Sequence, residues 1–396
     1  MFNPRELMSP WFADLSSSRK GDFKHEMEAG DNVVLMNWAD PFRPDDTIPS
    51  HIKQATIDCL NSVGAHYTFP VGDDELRREL AKRIKRVNGL DVDPYKNITI
   101  SSGSDTAFLF VMRPFLNPGD EVLTPTPSYA HNFIVPGLCG AKAIGIPTWP
   151  EDGYDLHIDE FEKRLTSKTK MVALTNPNNP TCTVYRRETL EKLAAFVQKN
   201  NLILVVDQCF EDTVFDGYEM TNIMALPGMF ERTIMINSIS KGMGLCGYRV
   251  GYVVASEEIS DMLQYTSVYV VGAPNTAAQA GIVAGLRDPA FIEEYRQEYM
   301  ARAKAISKIL DEIPHIRYVM PQAGFFFWID VSYYGSQTEV TRYIAKNAGV
   351  LLSDGTLSND QTHVRMIYGA LRDREQCLAA VRRIRDAFLA HPKNKL

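Results

Sequence analysis

Residues 202–207 read Leu202-Ile203-Leu204-Val205-Val206-Asp207. Five apolar residues follow one another without the polar alternation of a strand that has one wet face. A strand apolar on both faces has to be covered on both, which is the condition of a parallel sheet held between helices. The run then stops on a carboxylate. In an open parallel sheet ligands bind beyond the carboxyl ends of the strands, so the residues that follow each strand carry the functional information.

Working outward, comparable runs predict strands over 97–101, 121–124, 171–175, 233–237 and 251–255. Helical periodicity predicts helices over 105–115, 188–200 and 258–267. Strands alternating with helices predict an α/β fold whose large domain has a mostly parallel sheet covered by helices on both faces. Beyond Leu286 the pattern changes. A long helix is predicted from Asp288 to Ile313, an aromatic strand over Gly324–Val331, a helix over Thr338–Asn347, a strand over His363–Tyr368 and a closing helix over Arg372–Ala390. That is a smaller α+β domain. The expected division is 1–45 as an N-terminal arm with part of the small domain, 46–286 as the large domain and 287–396 as the small C-terminal domain.

Composition bounds the function. Apolar residues make up 45% of the 396, enough to build a large core, so disorder is excluded. A net charge of −7 with no Lys/Arg-rich run argues against nucleic acid as a partner. Cys59, Cys139, Cys182, Cys209, Cys246 and Cys377 form no CxxC pair, which predicts reduced thiols and a cytoplasmic location. The chain opens without a secretory signal pattern and has no apolar run of membrane-span length, so no membrane partner is expected. The eight histidines show no ligand spacing, and no metal is expected.

Four predicted strands end in polar groups: Ser102-Gly103-Ser104-Asp105, Asn176-Pro177-Asn178-Asn179-Pro180, Asp207, and Ser238-Ile239-Ser240-Lys241 with Arg249 eight residues on. A Gly/Ser turn opening a helix offers N–H groups and the positive end of a dipole to a phosphate. Arg249 adds a bidentate contact. Asp207, at the end of an apolar strand, needs a positive partner, and a protonated heteroaromatic nitrogen is one. Lys241, among hydroxyls, is a candidate nucleophile. Phosphate cup, acid and amine together describe pyridoxal 5'-phosphate (PLP). Residues 242–247 also fit GxGxxG, a dinucleotide fingerprint, but that motif must open a helix and a strand is predicted instead.

Residues 238–251, Ser-Ile-Ser-Lys-Gly-Met-Gly-Leu-Cys-Gly-Tyr-Arg-Val-Gly, resemble the lysine signature of the class I/II aminotransferases, fold-type I PLP enzymes similar to aspartate aminotransferase. Residues 176–181 resemble that family's Asn-Pro-x-Asn-Pro-Thr segment, and the likeness runs from Val34 to Phe388. The resemblance implies an aminotransferase that moves an amino group between an α-amino acid and a 2-oxo acid through a Schiff base on Lys241. It implies that Asp207 pairs with the ring nitrogen and Asn179 donates to the ring oxygen. Tyr129 would stack on the ring, and Gly103, Ser104, Asp105, Ser238 and Arg249 would hold the phosphate. Arg365 would bind the substrate carboxylate with Ala39 close by. Tyr67 would reach the neighbouring subunit's phosphate in a homodimer that shares its active sites. Other PLP reactions on an amino acid (β-lyase, decarboxylase, racemase, oxidase) and a non-catalytic PLP-binding domain are the alternatives.

Three positions depart from the pattern. Phe210 stands where the family has a tyrosine that donates to the cofactor's ring oxygen, and Cys182 stands where it has a glycine. Asp105 puts an acid beside a phosphate, so its carboxylate is expected to cap the helix and turn aside. Val270–Asn275 lacks the second arginine of some dicarboxylate-specific relatives, which argues against strict aspartate specificity. The cluster Phe325–Trp328 is compatible with an apolar substrate or with core.

Overall fold

The protein is described by a computed structural model covering residues 3–9, 11–12 and 33–395. Residues 13–32, most of the expected N-terminal arm, lie outside the described residues. Strands are numbered along the chain. β1 (Val34–Met36) belongs to a smaller sheet described below. The larger sheet contains β2 (Ile98–Ser101), β3 (Glu121–Thr126), β4 (Lys142–Pro147), β5 (Thr169–Thr175), β6 (Ile203–Asp207), β7 (Thr233–Ser238) and β8 (Gly251–Val254). Their spatial order is β2-β8-β7-β6-β5-β3-β4.

The apolar run at 202–207 is explained by its place in this order. β6 lies between β5 and β7, parallel to both. Leu204 and Val206 pack with Leu190, Leu193 and Val197 of the helix Arg187–Lys199. Val205 packs with Ala107, Phe108 and Val111 of the helix Ser104–Met112 in a second core cluster. Both faces are therefore dry, and each buried aliphatic side chain contributes about 1.5–3 kcal/mol.

One strand runs against the rest. β8 is antiparallel to both β7 and β2, with Gly251 opposite Ser238 and Ser101. The chain leaves β7, turns through the short helix Ile239–Gly242, and comes straight back, too tightly for the crossover that a parallel neighbour requires. This reversal matters for the site. The start of β8 meets the ends of β7 and β2, so Arg249 stands on the same rim as Lys241 and Gly103.

The smaller sheet has the order β1-β11-β12-β10-β9, with β9 (Arg317–Tyr318), β10 (Phe326–Asp330), β11 (Val350–Asp354) and β12 (His363–Ile367). β1 lies parallel to β11, so the segment ahead of the large sheet pairs with strands from the end of the chain. The helices Ala290–Leu310, Gln337–Ala348 and Arg374–Leu389 match the expected ones to within a few residues. The helices Ser50–Leu60, Asp74–Asn88, His131–Leu138, Ile158–Arg164 and Thr276–Arg287 were not anticipated, nor were β1, β4, β9 and β11. β4, Lys-Ala-Ile-Gly-Ile-Pro, is an edge strand whose Gly and Pro mask its pattern. No helix among the described residues is long and apolar enough to cross a membrane.

Candidate active site

A cavity of about 770 Å³ opens at the carboxyl ends of β6 and β7 and is closed on its far side by β11, β12 and the helix Gln337–Ala348. Ser104, Asp105, Tyr129, Asn179, Asp207, Phe210, Ser238, Lys241, Arg249, Arg365 and Ala39 all line it.

Lys241 is carried by the four-residue helix Ile239–Gly242, which Ser238 caps by accepting from the Ser240 amide at 3.1 Å. Its Nζ donates to the Ala39 carbonyl at 2.5 Å and lies 3.6 Å from Cys246 Sγ. Asp207 is 2% exposed. Its Oδ1 accepts from the Cys209 amide at 3.0 Å, and Oδ2 from Thr175 Oγ1 at 3.4 Å. Burial pushes its carboxyl up to about 6, against the lowering effect of those hydrogen bonds.

At the end formed by β12, Arg365 Nη1 donates to Asn179 Oδ1 at 2.9 Å, and its guanidinium lies 5.6 Å from the centre of the Phe326 ring. Its Nε is buried without a hydrogen-bond partner, and burial holds the group below the usual arginine range. At the other end, Arg249 adopts the left-handed conformation (φ 52°) just before β8. That conformation, which costs a non-glycine residue of order 1 kcal/mol, turns the chain into the strand. Its Nη2 donates to Asp105 Oδ2 at 3.0 Å, and Nη1 to the Cys246 carbonyl at 3.0 Å. Gly103 (φ 81°) passes directly beneath it, and a Cβ there would stand 2.9 Å from Arg249 Cζ.

One expectation needs correction. Asp105 does not cap its helix. Its carboxylate faces Arg249 and accepts from the Tyr129 hydroxyl at 2.8 Å, because a guanidinium and a phenol attract it more strongly than a single amide. Of the two readings open for Phe325–Trp328, the core one holds: all four are buried and do not line the cavity. Tyr129 itself stacks on His131, with ring centroids 4.7 Å apart at 16°. Cys182, in place of the family's glycine, keeps a left-handed backbone despite its Cβ. It sits at φ 58°, buried, with Sγ 3.3 Å from the Phe326 carbonyl. Phe210 meets Phe326 edge-on at 5.2 Å.

Tyr67 is not brought to this cavity and is 92% exposed. Sequence reasoning missed Trp38, Asp40, His131, Cys209, Cys246 and Arg342, which also line the cavity. Cys246 was within reach of it, five residues after Lys241 in the quoted signature. Arg342 is one turn beyond Thr338 on a helix with an ordinary amphipathic pattern, and no local signal marks it. Among the described residues no group of three His, Cys, Asp or Glu side chains could hold a metal ion.

The parallel-dominated sheet, the second small sheet and the lysine at their shared cavity define a fold-type I α/β enzyme. The family profile "Aminotransferase class I and II" matches residues 34–384. The aspartate aminotransferase of Pyrococcus abyssi is 34% identical over 72% of this chain and 74% of its own. Aromatic-amino-acid aminotransferase 2 of Thermococcus litoralis is 32% identical over 82% of this chain and 85% of its own. The crystal structure of an aromatic aminotransferase from Pyrococcus horikoshii OT3 superposes with a TM-score of 0.84 at 30% identity, covering 92% of this chain and 98% of that one. The chain belongs to the class I and II aminotransferases, and amino-group transfer is its activity.

Proposed function

We propose that the chain holds pyridoxal 5'-phosphate in this cavity and uses it to move an amino group from an α-amino acid to a 2-oxo acid. The observation that carries the reading is the Lys241 amine and the buried Asp207 carboxylate facing one cavity. The residues fit the cofactor. Asp207 forms no ion pair among the described residues, and a protonated ring nitrogen supplies the cation that its burial calls for. The buried, unpartnered Nε of Arg365 calls for an acceptor, which a substrate carboxylate provides.

When bound, the cofactor supplies an electrophilic carbonyl carbon and a ring that draws electron density from the substrate's α-carbon. Asp207 would hold the proton on the ring nitrogen. Asn179 gives its Oδ1 to Arg365, which leaves its Nδ2 to donate to the ring oxygen. Tyr129 would face the ring, and Phe210 would pack beside it with no donor to offer. Ser104, Asp105, Ser238 and Arg249, over Gly103, form the phosphate end. Lys241 would hold the cofactor through its amine and, once the substrate amine has taken that place, would carry the proton of the substrate's α-carbon. Arg365, with Ala39 beside it, orients the α-carboxylate.

A homodimer belongs to the same reading. Tyr67, Phe69, Tyr265 and Tyr269 are exposed aromatic side chains, and Tyr67 would reach the site of a second copy. The division into 1–45, 46–286 and 287–396 is supported by the two sheets, which share no strand. A cytoplasmic location rests on the absence of disulfides among six cysteines. The test is a single-turnover panel: loaded protein is mixed with each amino acid in turn and stoichiometric 2-oxo acid is measured. Release of ammonia, with or without oxo acid, or of carbon dioxide would overturn transamination. Cofactor that reduces with borohydride onto a residue other than Lys241 would overturn its role.

A further inference from the structure

Behind the cavity lies a buried charge cluster that the mechanism leaves unused. Arg83, on the helix Asp74–Asn88, places Nη1 2.8 Å from Glu211 Oε1 and Nη2 2.6 Å from Asp212 Oδ1. Asn88 Nδ2 donates to the other Glu211 oxygen at 2.9 Å. The arginine and Glu211 are buried, and the Asp212 side chain is 16% exposed. Glu211 and Asp212 form the turn four residues after Asp207. Asp212 in turn lies against Gly242, the residue next to Lys241. A Cβ on Gly242 would fall inside the Asp212 side chain, 2.7 Å from its Cβ.

A helix of four residues has little internal hydrogen bonding with which to hold its own direction. The helix that carries Lys241 is fixed by Ser238 at its start and is walled by Asp212 at its end. Asp212 is held by an arginine rooted in a separate 15-residue helix. The turn that Arg83 grips lies only four residues after Asp207. We infer that Arg83 and Asp212 are positioning residues that set where Lys241 stands relative to Asp207, a role that rests on the reading of Lys241 given above. The planar guanidinium hydrogen-bonds Asp212 while standing in ion-pair contact with Glu211, an arrangement an ammonium does not reproduce with the same geometry.

The experiment uses PLP-loaded full-length protein and three readouts: the fraction of cofactor that borohydride traps on Lys241, read by peptide mass; kcat and KM of the amino-acid half-reaction; and Tm. A displacement of about 1 Å from catalytic register costs about a hundredfold in rate. Asp212→Ala is therefore expected to lower kcat by roughly ten- to a hundredfold, leave KM nearly unchanged and reduce trapping. Asp212→Asn, which keeps the wall, should retain most of kcat. Arg83→Lys should show a weaker form of the Asp212→Ala phenotype. Gly242→Ala should be worse than any of these, and Asp212→Gly should restore part of its loss by making room for the new methyl. Trapping and kcat within twofold of wild type in folded Asp212→Ala would overturn the inference. So would a Gly242→Ala defect of the same size with and without Asp212→Gly. If wild type itself traps no cofactor on Lys241, the reading of the lysine fails instead, which separates the two.

Discussion

The two ends of the cavity each present an arginine, in opposite electrostatic states. Arg249 and Asp105 stand at the solvent-facing end with side chains 49% and 47% exposed, already bonded to one another. Arg365 stands at the inner end, bonded to the neutral Asn179 amide, with its Nε unsatisfied and Phe326 beneath it. Asp207, also deep, is buried and forms no ion pair among the described residues. Water screens the outer charges and the protein has paired them. The inner charges are neither screened nor matched, so they act strongly on whatever ligand completes them. Changes at the inner end should accordingly have the larger effects.

The largest expected effect is at Asp207. Burial raises its carboxyl from the usual value to about 6 in the folded protein. A raised value means that the folded state holds the proton more tightly than the unfolded chain. The stability it contributes is therefore complete below about pH 4 and lost as pH rises through about 6, a change of about 3 kcal/mol. Urea unfolding of cofactor-free wild type against Asp207→Asn should show the variant gaining by that amount between pH 4 and pH 8. Loading the cofactor should shrink the gap, because the ring nitrogen pairs with the carboxylate. A gap that does not vary with pH would mean that Asp207 is solvated.

Next comes Arg365. Hydrogen bonds to charged groups are worth about 1.5–3 kcal/mol each, so Arg365→Gln should raise KM for the amino acid by roughly ten- to a hundredfold. Cofactor affinity should hardly move. Arg249→Gln should do the reverse, weakening cofactor binding and sparing KM. If both variants act on the same constant, the two ends do not have separate ligands.

These contrasts were only partly legible in the sequence. The rim was readable because parallel strands deliver their carboxyl ends to one side, so Asn179, Asp207 and Lys241 could be placed together from strand ends alone. The antiparallel course of β8 was not readable. It depends on how tightly the chain returns from β7, and that return is what brings Arg249 to the rim. The Phe325–Trp328 cluster was ambiguous because core and apolar pocket use the same residues, and its burial away from the cavity settled it as core. Arg342 was invisible, since a helix face turned to a cavity has the same periodicity as one turned to water.

Phe210 offers a smaller effect at the inner end. Its ring packs edge-on against Phe326 and offers no hydroxyl. Phe210→Tyr would add a donor worth about 1.5 kcal/mol toward an ionised ring oxygen, which lowers the pKa of the cofactor-bound lysine by about one pH unit. Absorbance titration of the loaded protein reads this directly. An unchanged titration would place the new hydroxyl away from the ring oxygen.

The smallest effect should come from the outer end, at Asp105. Its carboxylate competes with a phosphate for Arg249, yet it also holds that guanidinium over Gly103. Asp105→Asn removes the negative charge and keeps an oxygen for the Tyr129 hydroxyl to donate to. Because both side chains are half exposed, the pair is worth about 1 kcal/mol or less. Competition therefore predicts cofactor affinity only a few-fold tighter in the variant, with the gain shrinking as salt screens the pair. Fluorescence titration at low and high ionic strength measures both. A weaker affinity in the variant would show that orienting Arg249 outweighs repelling the phosphate. Asp105 would then work as a buried partner does, and the distinction between a paired outer end and an unmatched inner end would fail at the residue on which it chiefly rests.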